Sequence, residues 1–374
     1  GTQACPNAGN GIYFYGGASE NQVIGLPFRN VIAGNAAAGV GIVGTDCVDN
    51  VVQGNFIGTD LAGARAVSNG HSGVLLEDVV GAQIADNLIA GNRQAGVEIG
   101  GADSRDVVLV GNQIGCSAAG TNALPNAGAG VRITHGRGHR VGGPTSVDRN
   151  VISGNAASGV LLGGNYSNIT VAGNYIGLAP DGLQALGNVA NGIGVIVAGA
   201  GLLISNNVIA GNGSDGIALS GANTPAAAVL VANRIGLDAA GALARTNTGH
   251  GVSLIKVSGV RVGGATAGER NVIAGNTGSG IVVEGSGSND AVVIAGNYIG
   301  LDAGGLNGPG NGQDGLYVRF TPRLQVGGSS TAWKNVIAYH DTGLSLEGCD
   351  GAWIGYNFIG CDASATVARP NGYG

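Results

Sequence analysis

Short apolar runs of two to four residues recur along the whole chain, each opened by Asn or Gly and closed by small polar residues. None shows the 3.6-residue period of an amphipathic helix, and each is the length of a short strand. The clearest unit is Asn-x-Ile. It begins at Asn30, Asn55, Asn87, Asn112, Asn150, Asn174, Asn207, Asn233, Asn271, Asn297, Asn335 and Asn357. The intervals are 25, 32, 25, 38, 24, 33, 26, 38, 26, 38 and 22 residues, so short and long coils alternate. A second column marches with it. Gly39, Gly73, Gly96, Gly130, Gly159 and their later counterparts each precede an apolar run, and a third run such as Val107-Val-Leu-Val110 follows.

Three short strands per interval, with turns between, predict an all-β chain: a right-handed, single-stranded parallel β-helix of about 12–13 coils. Isoleucines such as Ile32, Ile57, Ile89 and Ile114 then stack as an inward ladder. The Asn column is expected to be buried, with amides bonded from coil to coil, because an unpaired buried amide costs several kcal/mol. Residues 1–374 read as one such domain.

Composition sharpens this picture. Glycine supplies 75 of 374 residues against 9 prolines, which excludes collagen. Charged residues are 11% of the chain, too few for long solvated helices. The net charge of −6 argues against a nucleic-acid partner. No apolar run is long enough to span a bilayer. Secretion or cell-surface display is expected. Five cysteines suggest terminal staples, Cys5–Cys47 and Cys349–Cys361, with Cys116 left alone. Solenoids carry caps on their open strand edges, and neither Gly11-Ile12 nor Asn371-Gly-Tyr-Gly374 reads as one. The expectation is further repeats of a longer chain, or head-to-tail self-association into a fibre.

Units such as Asn150-Val-Ile-Ser-Gly-Asn155, Gly173-Asn-Tyr-Ile-Gly177 and Val262-Gly-Gly264 followed by Arg270-Asn271-Val-Ile resemble the repeats of bacterial right-handed parallel β-helix proteins of the pectate-lyase-like superfamily. The resemblance covers about residues 10–374. It implies the fold. Activity does not follow from it, since that superfamily holds polysaccharide lyases, hydrolases, epimerases, tailspikes and adhesins.

Five sets of residues are candidates for chemistry. Asp60, Asp238, Asp302 and Asp362 recur in Ile-Gly-x-Asp. Their alternate-coil spacing of about 9.6 Å does not suit calcium, which needs oxygens at about 2.3–2.6 Å, so they read as turn caps and no cofactor or metal is assigned. The position before the column glycine holds Asp215, His250 and Asp314, and Gly249-His250-Gly251 resembles a motif of polygalacturonase-like hydrolases. Asp215 and Asp314 fall three coils apart, about 14 Å, too far for an inverting pair. Lys256, Glu284, Arg319 and Glu347 form an outward column of alternating sign. It reads as cross-strand ion pairing, or as the acid–base set of an enzyme acting on acidic polysaccharide. His135, Arg137, His139 and Arg140 form a basic loop that suits an anionic glycan. Finally, the middle residue of Asn-x-Ile is aromatic at Tyr175 and Tyr298, either covered by the long loops or offered to sugar rings. With no tight acid cluster, the sequence favours a structural or adhesive solenoid with glycan as its partner, over an enzyme.

Overall fold

The computed structural model describes residues 7–196, 199–225, 227–285 and 291–373. Among these are 36 strands in three parallel sheets and two short 3-10 turns, Ala267–Glu269 and Thr331–Trp333. The chain is a right-handed parallel β-helix with three strands per coil, the hand expected of parallel crossovers. It divides into two compact units: Gly1–Pro180 with Leu186–Ala190, and Asp181–Ala185 with Asn191–Gly374.

Each unit holds six coils. The glycine-column strands make sheet A, for example Val97–Gly100 beside Val131–Arg137 in the N-terminal unit. The third-run strands make sheet B, such as Val108–Val110, and the Asn-x-Ile strands make sheet C, such as Gln113–Ile114. Equivalent residues face each other directly: Ile99 is opposite Ile133, and Ile114 opposite Ile152. Their side chains are fully buried. Each coil alone has no core, and stacking encloses a continuous one of Val, Ile and Leu.

The expected Asn ladder is present. Within each unit the side-chain Nδ2 of one Asn donates to Oδ1 of the next at 2.8–3.1 Å, from Asn30 to Asn174 and from Asn207 to Asn357. A second ladder was not foreseen. Asn35, Asn69, Asn92, Asn126, Asn155 and Asn188 bond in series at 2.8–3.0 Å in the first unit, extending a bond from Asn7. Asn212, Asn247, Asn276 and Asn311 do so in the second, where Asn311 then meets His340. This ladder lies five residues after the first in short coils (Asn87 to Asn92) and fourteen after it in long ones (Asn112 to Asn126). The difference, nine residues, is the long loop.

The two ladders explain the glycines. A Cβ on Gly130 would lie 2.5 Å from Ile152 Cγ2 and 2.8 Å from Asn155 Nδ2, so the glycine column is the space that the next coil's Ile and Asn occupy. Gly115, which ends its sheet C strand at φ +94°, would collide with the Asn155 amide at 2.3 Å.

The cysteine expectation fails in the second unit. Cys349 and Cys361 are free thiols. Cys349 sits after the sheet A strand Leu344–Glu347, its thiol directed at the Val318 and Glu347 carbonyls. Cys361 stands at the root of a long loop bridged to Ala368, and the sheet B strand Trp353–Gly355 intervenes, so the two occupy different corners of the coil. Cys47 is buried with its thiol on the Val43 carbonyl, and its expected partner Cys5 lies outside the described residues. Cys116 is a buried free thiol, pushed up to about 12 by burial.

Candidate functional site

The four acidic loop residues are turn caps. Asp60 Oδ1 accepts the Ala64 and Arg65 amides, and Asp238 Oδ1 accepts those of Ala242 and Leu243. Asp302 accepts Leu306, and Asp362 accepts Ser364 and Thr366. The amides hold the Asp60 carboxyl below the usual range, and the Ser364 hydroxyl, helped by the loop amides, does the same for Asp362. Among the described residues no group of three His, Cys, Asp or Glu is arranged to hold a metal.

The aromatic column is covered. Gly305 at a loop tip lies against the Tyr298 ring, and Gly63 against Phe56. From the other side a cation closes over the ring: Arg149 sits 4.1 Å from the Tyr175 centroid and Arg270 4.1 Å from that of Tyr298. Arg29 and Lys334 cover Phe56 and Phe358 in the same way. Each of these cations directly precedes a ladder Asn in a short coil and reaches the aromatic of the coil that follows. Tyr298 is buried within an outer cluster of Leu237, Val272, Leu301 and Val336, so it offers no platform to sugar rings.

The basic loop also divides. His139 is fully buried, accepting the Val107 amide at Nδ1, and burial pushes its imidazole down to about 4. It is a neutral core residue. Arg140 donates to the Gly142 carbonyl. Arg137 is exposed in the register of Ser167 and Arg105, while His135 is half-buried with Nδ1 near Thr134 Oγ1. The four do not form one anion site.

In the C-terminal unit, four of the six proposed catalytic residues do come together. A cleft of about 380 Å³ on the outer face of sheet A is lined by His250, Glu284, Asp314 and Arg319, together with Ser253 and Tyr317. Lys256 is excluded. The register sets Ile255 opposite Glu284, which faces Arg319, which faces Glu347. Lys256 is one residue beyond that column, exposed at φ +52°, where the strand is irregular. Asp215 is also excluded. Its Oδ1 accepts the His250 amide at 2.7 Å, while its own amide is held by Asn191. His250 continues that series, accepting the Ser279 amide at Nδ1. The residue before the column glycine is thus a rung tying one coil to the next, which accounts for the Gly-His-Gly stretch.

Within the cleft the polar groups are paired. Arg319 contacts Glu284 Oε2 at 2.7 Å, which raises the guanidinium above its ordinary value. The Tyr317 hydroxyl donates to Glu347 at 2.9 Å, which raises the phenol. Asp314 stands five residues from the Glu284 position along the strand direction, roughly 16 Å between backbones. Tyr317 was missed by sequence reasoning. Counting two residues on from each column glycine places it in the outward row beside Arg319, a signal that the sequence does contain.

No family model matches the sequence, and no curated protein matches it. Among solved structures, the chain is similar to the A-module of mannuronan C-5 epimerase AlgE4 of Azotobacter vinelandii, at 14% identity and a TM-score of 0.47, over 89% of this chain and 88% of that one. It is also similar to the AlgE6 A-module of the same organism, at 15% identity and 0.42 over 88% and 87%. The Dettilon tailspike protein gp208 aligns at 17% identity and 0.39, over 93% of this chain and 60% of that chain. These likenesses are to the fold alone.

Proposed function

We propose that this protein is a secreted or cell-surface β-solenoid, structural or adhesive in role, that binds a neutral, hydroxyl-rich glycan at the C-terminal sheet A cleft without cleaving it. The observation that carries this reading is the pairing of Glu284, Glu347 and His250 at the cleft, while the remaining acid, Asp314, stands roughly 16 Å along the strand from the Glu284 position. Glu284 is held by Arg319, Glu347 by Tyr317, and the Nδ1 lone pair of His250 by the Ser279 amide. Neutral His250 then bears its proton at Nε2 and is a donor only. A general base needs a free lone pair within reach of substrate, and this arrangement offers acceptors and donors in fixed places instead. Val282 and Ile255 supply apolar wall for the C–H faces of a sugar ring. Two carboxylates, Glu284 and Glu347, flank one guanidinium, and Asp314 adds a further negative charge to the lining, so an anionic polymer would meet repulsion.

The test is a glycan array of neutral, cationic and anionic oligosaccharides, followed by titration calorimetry and an assay for unsaturated uronate products. Retention of a neutral oligosaccharide without product is expected, with the Glu284→Gln/Arg319→Gln variant losing at least about tenfold in affinity. Turnover of any polysaccharide that this variant abolishes would overturn the reading, as would neutral-glycan binding that the variant leaves intact.

A further inference from the structure

A second cleft, of about 480 Å³, opens on the outer face of sheet A in the N-terminal unit, and no candidate set drawn from the sequence included its acids. Its origin is a missing side chain. Two rows of outward residues run across the sheet there. In one, Leu75, Glu98 and Arg132 face each other in register. In the other, Glu77 faces Gly100, and beyond Gly100 stands Thr134. Gly100 therefore leaves a notch between Glu77 and Thr134, two strand spacings or about 9.6 Å across. That is the width of a single pyranose ring with its substituents.

The walls carry an unbalanced set of charges. Glu98 is largely buried, its side chain 15% exposed, and Ser72 donates to its Oε2 at 2.7 Å. Arg132 approaches the other oxygen only to 3.5 Å and is itself about half exposed at 48%. Glu77 has neither a hydrogen bond nor an ion pair on its carboxylate among the described residues and faces the cleft. Glu77 and Glu98 are diagonal neighbours on adjacent strands, so their Cβ atoms lie roughly 7–8 Å apart. One ammonium placed between them touches both. Around this pair stand hydrogen-bonding groups suited to hydroxyls: Thr134, His135, and His71, whose Nδ1 is buried without a hydrogen-bond partner and lies 3.9 Å from Glu98. This contrasts with the C-terminal cleft, where the acid and base are locked together at 2.7 Å.

We propose that the N-terminal cleft binds a hexosamine unit of a cationic glycan, with the protonated amine between Glu77 and Glu98 and the ring lying over Gly100. A lysine side chain would satisfy the two carboxylates but leave His71 Nδ1 without a partner and the notch over Gly100 unfilled, so the ring and its hydroxyls belong to the recognition. The proposal does not depend on the C-terminal cleft.

Titration calorimetry with the full chain tests it, at low salt and slightly acidic pH where the sugar amine is protonated. The probes are a fully deacetylated glucosamine tetramer, its N-acetylated counterpart, and tri-lysine. The deacetylated tetramer should bind, and each of the others should bind at least about tenfold more weakly. Glu77→Gln should cost at least about tenfold by removing one charge-assisted contact. Gly100→Val fills the notch. A Cβ there meets only Thr134 Oγ1, at 3.4 Å, and the backbone is not left-handed, so this variant should unfold at the wild-type temperature while binding is lost. Glu284→Gln/Arg319→Gln should bind the tetramer as wild type does. Equal binding of the acetylated tetramer or of tri-lysine would overturn the proposal, as would undiminished binding in Glu77→Gln or in a folded Gly100→Val. Loss of tetramer binding in Glu284→Gln/Arg319→Gln would move the site to the other unit and overturn it as well.

Discussion

Replacing Asn112 by Leu should be among the most destabilising single changes in the N-terminal unit. The Asn112 amide makes five hydrogen bonds. Its Nδ2 donates to the Ile84 carbonyl at 2.8 Å, to the Val110 carbonyl at 3.0 Å and to Asn150 Oδ1 at 2.9 Å. Its Oδ1 accepts from the Asn87 amide at 3.0 Å and from Asn87 Nδ2 at 3.1 Å. Leucine occupies similar volume and leaves the Asn87 N–H, one Asn87 side-chain proton and the Ile84 carbonyl without those partners in a dry interior. At about 1–3 kcal/mol for each stranded group, the loss is roughly 3–9 kcal/mol. The new apolar side chain returns about 1.5–3 kcal/mol. The net cost is therefore roughly 2–6 kcal/mol. The matched control is Asn30→Leu. Asn30 is exposed and makes two side-chain bonds, to Ile24 and Asn55, so water replaces what is lost and the cost should stay below about 1 kcal/mol. Urea unfolding followed by circular dichroism measures both, read as a shift in midpoint at unchanged slope. Hydrogen exchange across residues 84–87 should lose protection only in Asn112→Leu. If Asn112→Leu costs no more than Asn30→Leu, the ladder does not stabilise the core as argued.

Three further outcomes are expected. His139 takes up its proton near pH 4 in the folded chain and near 6.5 when unfolded, so protons favour unfolding across that window; stability should fall as pH drops from 6.5 toward 4, and His139→Gln should flatten the fall in urea midpoints. Arg149→Ala should lower stability by about 0.5–1 kcal/mol by uncovering Tyr175, seen as a drop in unfolding temperature, and Arg149→Lys should keep most of it. Iodoacetamide on the folded protein should label Cys349 and leave Cys47 and Cys116 untouched, as peptide mass spectrometry would show; labelling of Cys116 at the rate of Cys349 would contradict its burial.

The fold was legible because its signal is repetition. Asn-x-Ile recurs with inward Asn and Ile, and a parallel stack turns recurrence directly into register, as Ile114 over Ile152 shows. The second ladder was equally periodic but interrupted. Asn92 follows its sheet C strand at once, whereas Asn126 follows a nine-residue loop, so the two look unrelated until the loop is excised. The candidate site was half legible. Glu284 and Arg319 were placed correctly because they sit at a fixed step from the column glycine. Lys256 was misplaced by one residue, since the column position in that coil is Ile255 and a one-residue slip moves a side chain out of its row. The chemistry of Asp215, His250 and His139 was not legible at all. An Asp or His that accepts a backbone amide from a neighbouring coil is the same letter as one that faces a substrate, and only the bond distinguishes them.

The Asn ladders have a sense as well as a position. In every bond of the first ladder the donor belongs to the earlier coil and the acceptor to the later one, as from Asn87 to Asn112 and from Asn112 to Asn150. No rung can turn over by itself. Its oxygen also holds the preceding backbone N–H, and its nitrogen also holds a sheet B carbonyl, so a flipped amide would set like against like at each contact. The side-chain dipoles within a unit consequently add in one direction, like current in a wire, and each polarises the next. The interior of this chain thus carries an arrow, set by the direction in which the polypeptide winds.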